Sequence, residues 1–295
     1  MNRTDFAGRV EAVLELGALG DFLGSPLEGT PIPDRSLDPT SGALTDDTVF
    51  TVATARAIAD SGLAQPEQIA GYMLRAFQEG VAGIGSSTLG AMQALAAGQH
   101  WALSGISGDR AAGNGAAMRI APLAFVLDPS DDGARQLILD TARITHRNDE
   151  AVTGALALVI GIRLALENHN DGPSSLARIA GMLPDTRVRD AIVAASDYGP
   201  KSAQAAADEL GSSGHVSESV PLSLFLGLSE CESAVVRIES AVMAADDADT
   251  VGSMVGQLLG AAGHRLPADS PVRAHLPDGL PGLSRQIADV AGCAA

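Results

Sequence analysis

The sequence predicts an all-α protein, a single domain spanning 1–295 with about a dozen helices packed as a bundle. Three observations carry that expectation. Apolar residues recur at a helical period along most of the chain, and no convincing run alternates as a half-buried strand would. Hydrophobic residues make up 46% of the 295 positions and aromatics only 3%, a balance that suits helices packed closely on Ala and Gly better than an aromatic-rich sandwich. Glycine and proline fall between the periodic stretches, where helices stop and start.

In chain order, Phe6, Val10, Val13, Leu14 and Leu16 mark a helix over residues 5–19. It is expected to break at Gly20-Asp21-Phe22-Leu23-Gly24-Ser25-Pro26, where small residues and proline permit a tight turn. Residues 30–44 read as loop. A helix from Asp46 carries Val49, Phe50, Ala53, Ala57 and Ile58 on one face and closes at Gly62. Pro66 opens the next, ending near Gly80, and Ser86 or Ser87 caps another through Leu89, Met92, Leu95 and Trp101. Further helices are expected over 116–127, 134–145 and 150–166. A polar stretch of about 167–222 holds short helices near 174–182, 187–196 and 202–210, separated by Gly199-Pro200 and Gly211-Ser-Ser-Gly214, and reads as a variable peripheral segment. The last strong helices are about 221–228, 230–244 and 249–262, before a proline-rich end that is weakly helical from Ser284.

Charge narrows the function. The 36 acidic and 19 basic residues leave a formal charge of −17, and Lys201 is the sole lysine. Such a surface repels phosphate backbones, so no nucleic-acid partner is expected. The apolar run 151–166 contains Arg163 and is too short to cross a bilayer, so no membrane partner is expected either. The N-terminus shows no apolar leader, and Cys231 and Cys293 make no disulfide framework; a cytoplasmic monomer is expected.

The chemistry concentrates at two acidic helix starts, Thr45-Asp46-Asp47-Thr48 and Asp247-Ala248-Asp249-Thr250. Alone, each is an ordinary cap, because Asp and Thr are favoured in a first turn. Together they offer carboxylates and hydroxyls, hard oxygen ligands suited to Mg²⁺ or Mn²⁺. Gly113-Asn114-Gly115 is a small-residue turn that a ligand can approach closely, and Gly83-Ile84-Gly85-Ser86 is a weaker phosphate candidate. Glu28 and His146 stand in positions where a loop carboxylate and a helix-end histidine are commonly only solvated or packed.

These residues, in order, resemble a known family. Gly17-x-x-Gly20-Asp21-x-x-Gly24-x-Pro26-x-Glu28, Thr45-Asp46-Asp47-Thr48, Gly113-Asn114-Gly115-Ala116-Ala117-Met118-Arg119-Ile120-Ala121-Pro122, Thr145-His146 and Asp247-x-Asp249-Thr250 are similar to the motifs of the ADP-ribosylglycohydrolases, across about residues 10–263. Glu218-Ser219-Val220-Pro221-Leu222-Ser223 resembles the segment that precedes that family's last acidic motif. The resemblance implies an orthogonal helical fold around a binuclear Mg²⁺ centre, with Mn²⁺ as the alternative. By position it implies Thr45, Asp46, Asp47, Asp247, Asp249 and Thr250 as metal ligands and Glu28, with Asp47 and Asp249, as catalytic. It implies Gly83, Gly85, Ser86, Gly113, Asn114, Gly115 and His146 as substrate-binding. The expected substrate is an ADP-ribosylated protein or an ADP-ribose-containing small molecule, with arginine linkage favoured over serine linkage or O-acetyl-ADP-ribose.

Two departures stand out. Ala245-Asp246 occupy the place where the family usually has Gly-Gly, so Asp246 competes with Asp247 for the ligand role. Ala111-Ala112 precede Gly113 where some members carry an aromatic or a carboxylate, and Asp109 is the nearest acid. A prenyl-diphosphate enzyme also uses Asp-rich helices, but Thr48-Val49-Phe50 after Asp47 miss its DDxxD spacing and lysine is almost absent. A non-catalytic, crystallin-like or ADP-ribose-binding protein is the remaining alternative, and the clustered carboxylates argue against it because unrelieved like charges repel.

Overall fold

The computed structural model describes residues 1–169, 171–199 and 201–292. Cys293 and Pro200 lie outside the described residues; Cys231 is a free thiol. The described chain is all-α, with fourteen α-helices against the dozen expected. It begins with α1 (Arg3–Gly24), α2 (Asp46–Ser61), α3 (Pro66–Glu79), α4 (Ser86–Ala96), α5 (Trp101–Ser104) and α6 (Asp132–Arg143). It continues with α7 (Asp149–Leu166), α8 (Pro173–Gly181), α9 (Arg187–Ser196), α10 (Ala203–Leu210) and α11 (Val216–Gly227), then α12 (Ala234–Ala244), α13 (Ala248–Ala262) and α14 (Leu280–Val290). None of these helices is long and apolar enough to cross a membrane.

The fold hangs on the crossing of α1 and α13. The expected break at Gly20 is absent, and α1 runs on to Gly24. Those glycines are a contact surface rather than a stop. A Cβ on Gly20 would stand 2.1 Å from the Gly252 carbonyl carbon, one on Gly256 2.0 Å from the Leu16 oxygen, and one on Gly260 2.5 Å from the Ala12 carbonyl carbon. The two backbones therefore touch directly. Each helical glycine costs roughly 0.5–1 kcal/mol relative to Ala, and the close packing offsets it. The same crossing sets a Cβ on Gly24 2.3 Å from the Asp249 amide nitrogen, which fixes the end of α1 and the Glu28 turn against the start of α13.

Around this pair, α7 is buried along almost its whole length. Its Gly154 and Gly161 admit Val216 and Leu224 of α11. α11 starts at Val216, five residues before the expected position, because His215 caps it: its ring accepts from the Ser217 amide. Pro221 lies inside the helix rather than opening it. The expected helix over 116–127 is also absent. Residues 116–120 form turns closing on the Asn114 carbonyl, followed by a 3-10 segment, Ala121–Phe125. Pro122 supplies no N–H and disfavours helical backbone at Ala121. A two-residue parallel pair, β1 (Ile106–Ser107) with β2 (His146–Arg147), pins His146 opposite Ile106.

Candidate active site

The sequence-chosen residues meet at one cavity of about 410 Å³. Glu28, Asp46, Asp47, Asp247, Asp249 and Thr250 line it, together with Gly83, Gly85, Ser86, Gly113, Asn114, Gly115 and His146. A cavity of that volume suits a small organic ligand, for which about 300–1,000 Å³ is typical.

The start of α2 is positioned by Asp21, a residue that sequence reading left out of the candidate site. Asp21 is fully buried and accepts from the amide and hydroxyl of both Thr45 and Thr48, at 2.5–3.2 Å. Thr45 caps α2, its hydroxyl accepting from the Asp47 amide at 3.3 Å. Thr45 does not line the cavity; its hydroxyl donates to Asp21 and keeps one lone pair uncommitted. Asp46 donates its amide to the Ala82 carbonyl at 3.0 Å, which ties the helix start to the Gly83 loop. Gly83 has φ +77°, and a Cβ there would stand 2.9 Å from the Thr45 Cβ, so only glycine fits.

The start of α13 is set by the chain that leads into α11. Asp247 donates its amide to the Ser212 carbonyl at 3.0 Å, and its carboxylate accepts from the Asn114 side chain at 2.6 Å. Asn114 also donates to Ser219 of α11 at 3.1 Å. Glu218 orders this loop by accepting from the Ser213 amide and hydroxyl at 3.1 and 2.6 Å. The end of the 167–222 stretch thus reaches the cavity, which Ser213 and Gly214 line. Thr250 donates to Asp47 Oδ2 at 3.1 Å and joins the two helix starts.

Two groups of carboxylates converge within 4.8 Å, Asp21 with Asp47 and Asp249, and Glu28 with Asp247 and Asp249. Asp246 belongs to neither and lies exposed at the rim, near the Arg35 guanidinium. Like charge and burial raise the proton affinity of the set. Burial and Asp21 push Asp46 up to about 7. Burial, Asp247 and Glu28 push Asp249 up to about 9, and burial with Asp249 pushes Asp47 well above the usual carboxylate range. Burial and Asp247 also raise Glu28. Asp47 Oδ1 is buried with no hydrogen-bond partner among the described residues. An all-oxygen donor set, mutually repelling and with an orphaned carboxylate oxygen, fits a hard divalent cation.

The remaining lining residues are neutral or positive, Asp246 apart. Gly85 precedes α4 and offers no side-chain cap, so the first amides of that helix, beside Ser86, Ser87 and Thr88, face the cavity unpaired by a capping side chain. Arg110 is the one positively charged side chain among the described lining residues. His146 is buried, and burial with the Arg119 charge lowers it to about 3, so the ring is neutral at pH 7. The Gly113–Gly115 turn is laced to the loop before α11: the Asn114 amide donates to the Gly214 carbonyl at 3.1 Å and the Val216 amide to Ala112 at 3.0 Å. Sequence reading left out the supporting Asp21 and the lining Ser87, Thr88, Arg110, Met118, Ser213 and Gly214. Only Asp21 had a signal there, as an acid in an apolar stretch.

The family model described as ADP-ribosylglycohydrolase matches residues 2–292. An uncharacterized protein of Archaeoglobus fulgidus is 30% identical over 271 residues, covering 85% of this chain and 86% of that one. The ADP-ribosylarginine hydrolase Tri1 of Pseudomonas putida is 28% identical over 261 residues, covering 83% of this chain and 67% of its own. A solved structure described as an ADP-ribosylglycohydrolase-related protein complex shares the fold, with a TM-score of 0.77 over 98% of this chain and 99% of that chain at 24% identity. With its motifs gathered at one acidic cavity and the family model matching nearly end to end, this chain belongs to the ADP-ribosylglycohydrolase family.

Proposed function

We propose that the protein is a divalent-cation-dependent hydrolase that removes ADP-ribose from a modified protein side chain, with arginine as the linkage. The observation that carries this reading is the buried Asp47 Oδ1, which has no hydrogen-bond partner among the described residues and lines the cavity with Asp46, Asp249 and Thr250. Asp46, Asp47, Asp247, Asp249 and Thr250 would hold two Mg²⁺ ions, or Mn²⁺ in their place, and the free lone pair of Thr45 adds a further oxygen. When bound, such ions lower the pKa of water and stabilise negative charge.

The protein's own groups supply the rest. The free amides of α4 beside Gly83, Gly85 and Ser86 suit a diphosphate, and Arg110 adds positive charge on the same side. Gly113, Asn114 and Gly115 leave room for a ribose against the turn, with the His146 ring beside them. Glu28 lies in the turn after α1, exposed beside the acidic row, with its proton affinity raised by partial desolvation and by Asp247. A carboxyl group with raised affinity can hold a proton for the leaving group and then accept one from water. The arginine linkage rests on the likeness to the P. putida ADP-ribosylarginine hydrolase.

Mass spectrometry of products tests this directly. The protein is incubated with arginine-linked and serine-linked ADP-ribosyl peptides and with O-acetyl-ADP-ribose, with and without EDTA. Release of ADP-ribose from the arginine peptide alone, abolished by EDTA, is expected. Release only from the serine peptide or the acetyl ester would move the linkage, and no release from any would favour a binding protein.

A further inference from the structure

One fully buried cation, Arg119, has no role in the function proposed above. Arg119 is the largest of the fully buried side chains, and it makes no salt bridge among the described residues. Burial lowers it to about 9, so it remains charged at pH 7. Its Nη2 donates to the Thr141 carbonyl at 3.1 Å and to Thr145 Oγ1 at 2.8 Å. Thr141 lies in the last turn of α6, where the helix dipole favours a cation.

Thr145 Oγ1 is also 2.9 Å from His146 Nδ1. A guanidinium nitrogen only donates, so the hydroxyl accepts from Arg119. The hydroxyl proton then has one acceptor among the described residues, His146 Nδ1. A neutral imidazole that accepts at Nδ1 carries its proton at Nε2. The opposite tautomer would leave the buried hydroxyl proton without an acceptor, which is costly.

Nε2 faces the cavity across the glycine turn. A Cβ on Gly113 would stand 3.4 Å from it, and one on Gly115 would stand 3.0 Å from the adjoining Cε1. Nε2 has no protein partner among the described residues, and His146 is itself only 2% exposed. The backbone is pinned too, since β2 pairs with β1 and the Ile106 amide donates to the Thr145 carbonyl at 3.0 Å.

We propose that Arg119, acting through the Thr145 hydroxyl, is a positioning residue that holds His146 as the Nε2–H tautomer and presents one fixed, uncharged hydrogen-bond donor to a phosphate or ribose oxygen in the cavity. The identity of that oxygen rests on the function proposed above; the tautomer does not. An uncharged donor in this place binds an anionic or hydroxylated ligand without adding a charge that would repel a cation held by the facing carboxylates.

Long-range ¹H–¹⁵N spectra of the whole ¹⁵N-labelled protein at pH 7 test it, with the His146 signals identified by their loss in His146→Gln. The wild type and Thr145→Ser are expected to show a protonated Nε2 and a bare Nδ1. Thr145→Val is expected to show mixed tautomers, and its KM for an ADP-ribosylated peptide is expected to rise about tenfold with kcat within about twofold, the cost of one mispositioned hydrogen bond. A wild-type ring protonated at Nδ1, or a Thr145→Val spectrum identical to wild type, would overturn the proposal without any substrate present. If the tautomers behave as expected while ADP-ribose binds neither protein, the positioning role stands and the function proposed above fails.

Discussion

At the start of α2, Thr45 caps the helix, and Asp21 takes the amides and hydroxyls of Thr45 and Thr48. At the start of α13, Asp247 stands in the capping position and caps nothing; its carboxylate turns to Asn114 and the cavity. The two starts carry similar residues with opposite duties. On α2 a buried carboxylate from a neighbouring helix relieves the threonines, so Asp46 and Asp47 are free to face the cavity. On α13 the cap itself is given up to add a carboxylate, and a side-chain amide holds that carboxylate in place. On α2 an outside carboxylate satisfies the start, whereas on α13 Asp249 itself accepts from the Thr250 amide at 2.8 Å.

The largest expected effects come from removing the carboxylates that both starts share. Asp47→Asn and Asp249→Asn should each lower activity by at least about 100-fold and abolish the rise in melting temperature on adding Mg²⁺, since loss of even a supporting group costs about 10–100-fold in metal affinity. Calorimetry with each variant checks both readings, and retained hydrolysis in either would remove the basis for the proposed chemistry.

Next, Asn114→Ala should loosen Asp247 and remove the bond to Ser219. Cation affinity should fall about 10-fold, toward the lower end expected for a group that orients a ligand. Asp21→Asn should weaken the other start in a different way. An amide cannot accept from all four donors, so stability should drop by about 2 kcal/mol in denaturant unfolding, the scale of a buried polar group left unsatisfied. If Asp21→Asn instead impaired cation binding with stability intact, Asp21 would be a ligand rather than a support, as its place beside Asp47 and Asp249 also permits.

The smallest effect is on pH dependence. Asp46 is raised to about 7 and Asp249 to about 9, above an unfolded value near 3.9, so the native cation-free protein binds more protons than the unfolded chain between those limits. Stability is then fully present below about pH 4 as far as these groups are concerned, and falls as pH rises through 7 and toward 9. Thermal unfolding from pH 5 to 9 in EDTA should show this decline, and added Mg²⁺ should flatten it.

Much of this was legible in the sequence. Thr45, Asp46, Asp47, Asp249 and Thr250 stand at helix starts as their residue types predict, and α2, α3, α4, α6 and α7 fall close to the expected positions. What was not legible depended on distant partners. Gly20 and Gly24 read as a break because nothing local reveals Gly252 and Gly256 across the crossing. Asp21 looked like part of that break until Thr45 and Thr48 were folded onto it. Residues 116–120 kept a helical pattern although Pro122 and the Asn114 turn give them another backbone. The competition between Asp246 and Asp247 was also undecidable locally; the Asn114 side chain meets Asp247, and Asp246 stays at the rim beside Arg35.

The most direct test of the two-start cation site is a calorimetric titration of the cation-free protein with Mn²⁺. Two ions per chain are expected to bind, with binding lost in both Asp47→Asn and Asp249→Asn. No saturable binding by the wild type, or unchanged binding by either variant, would contradict it.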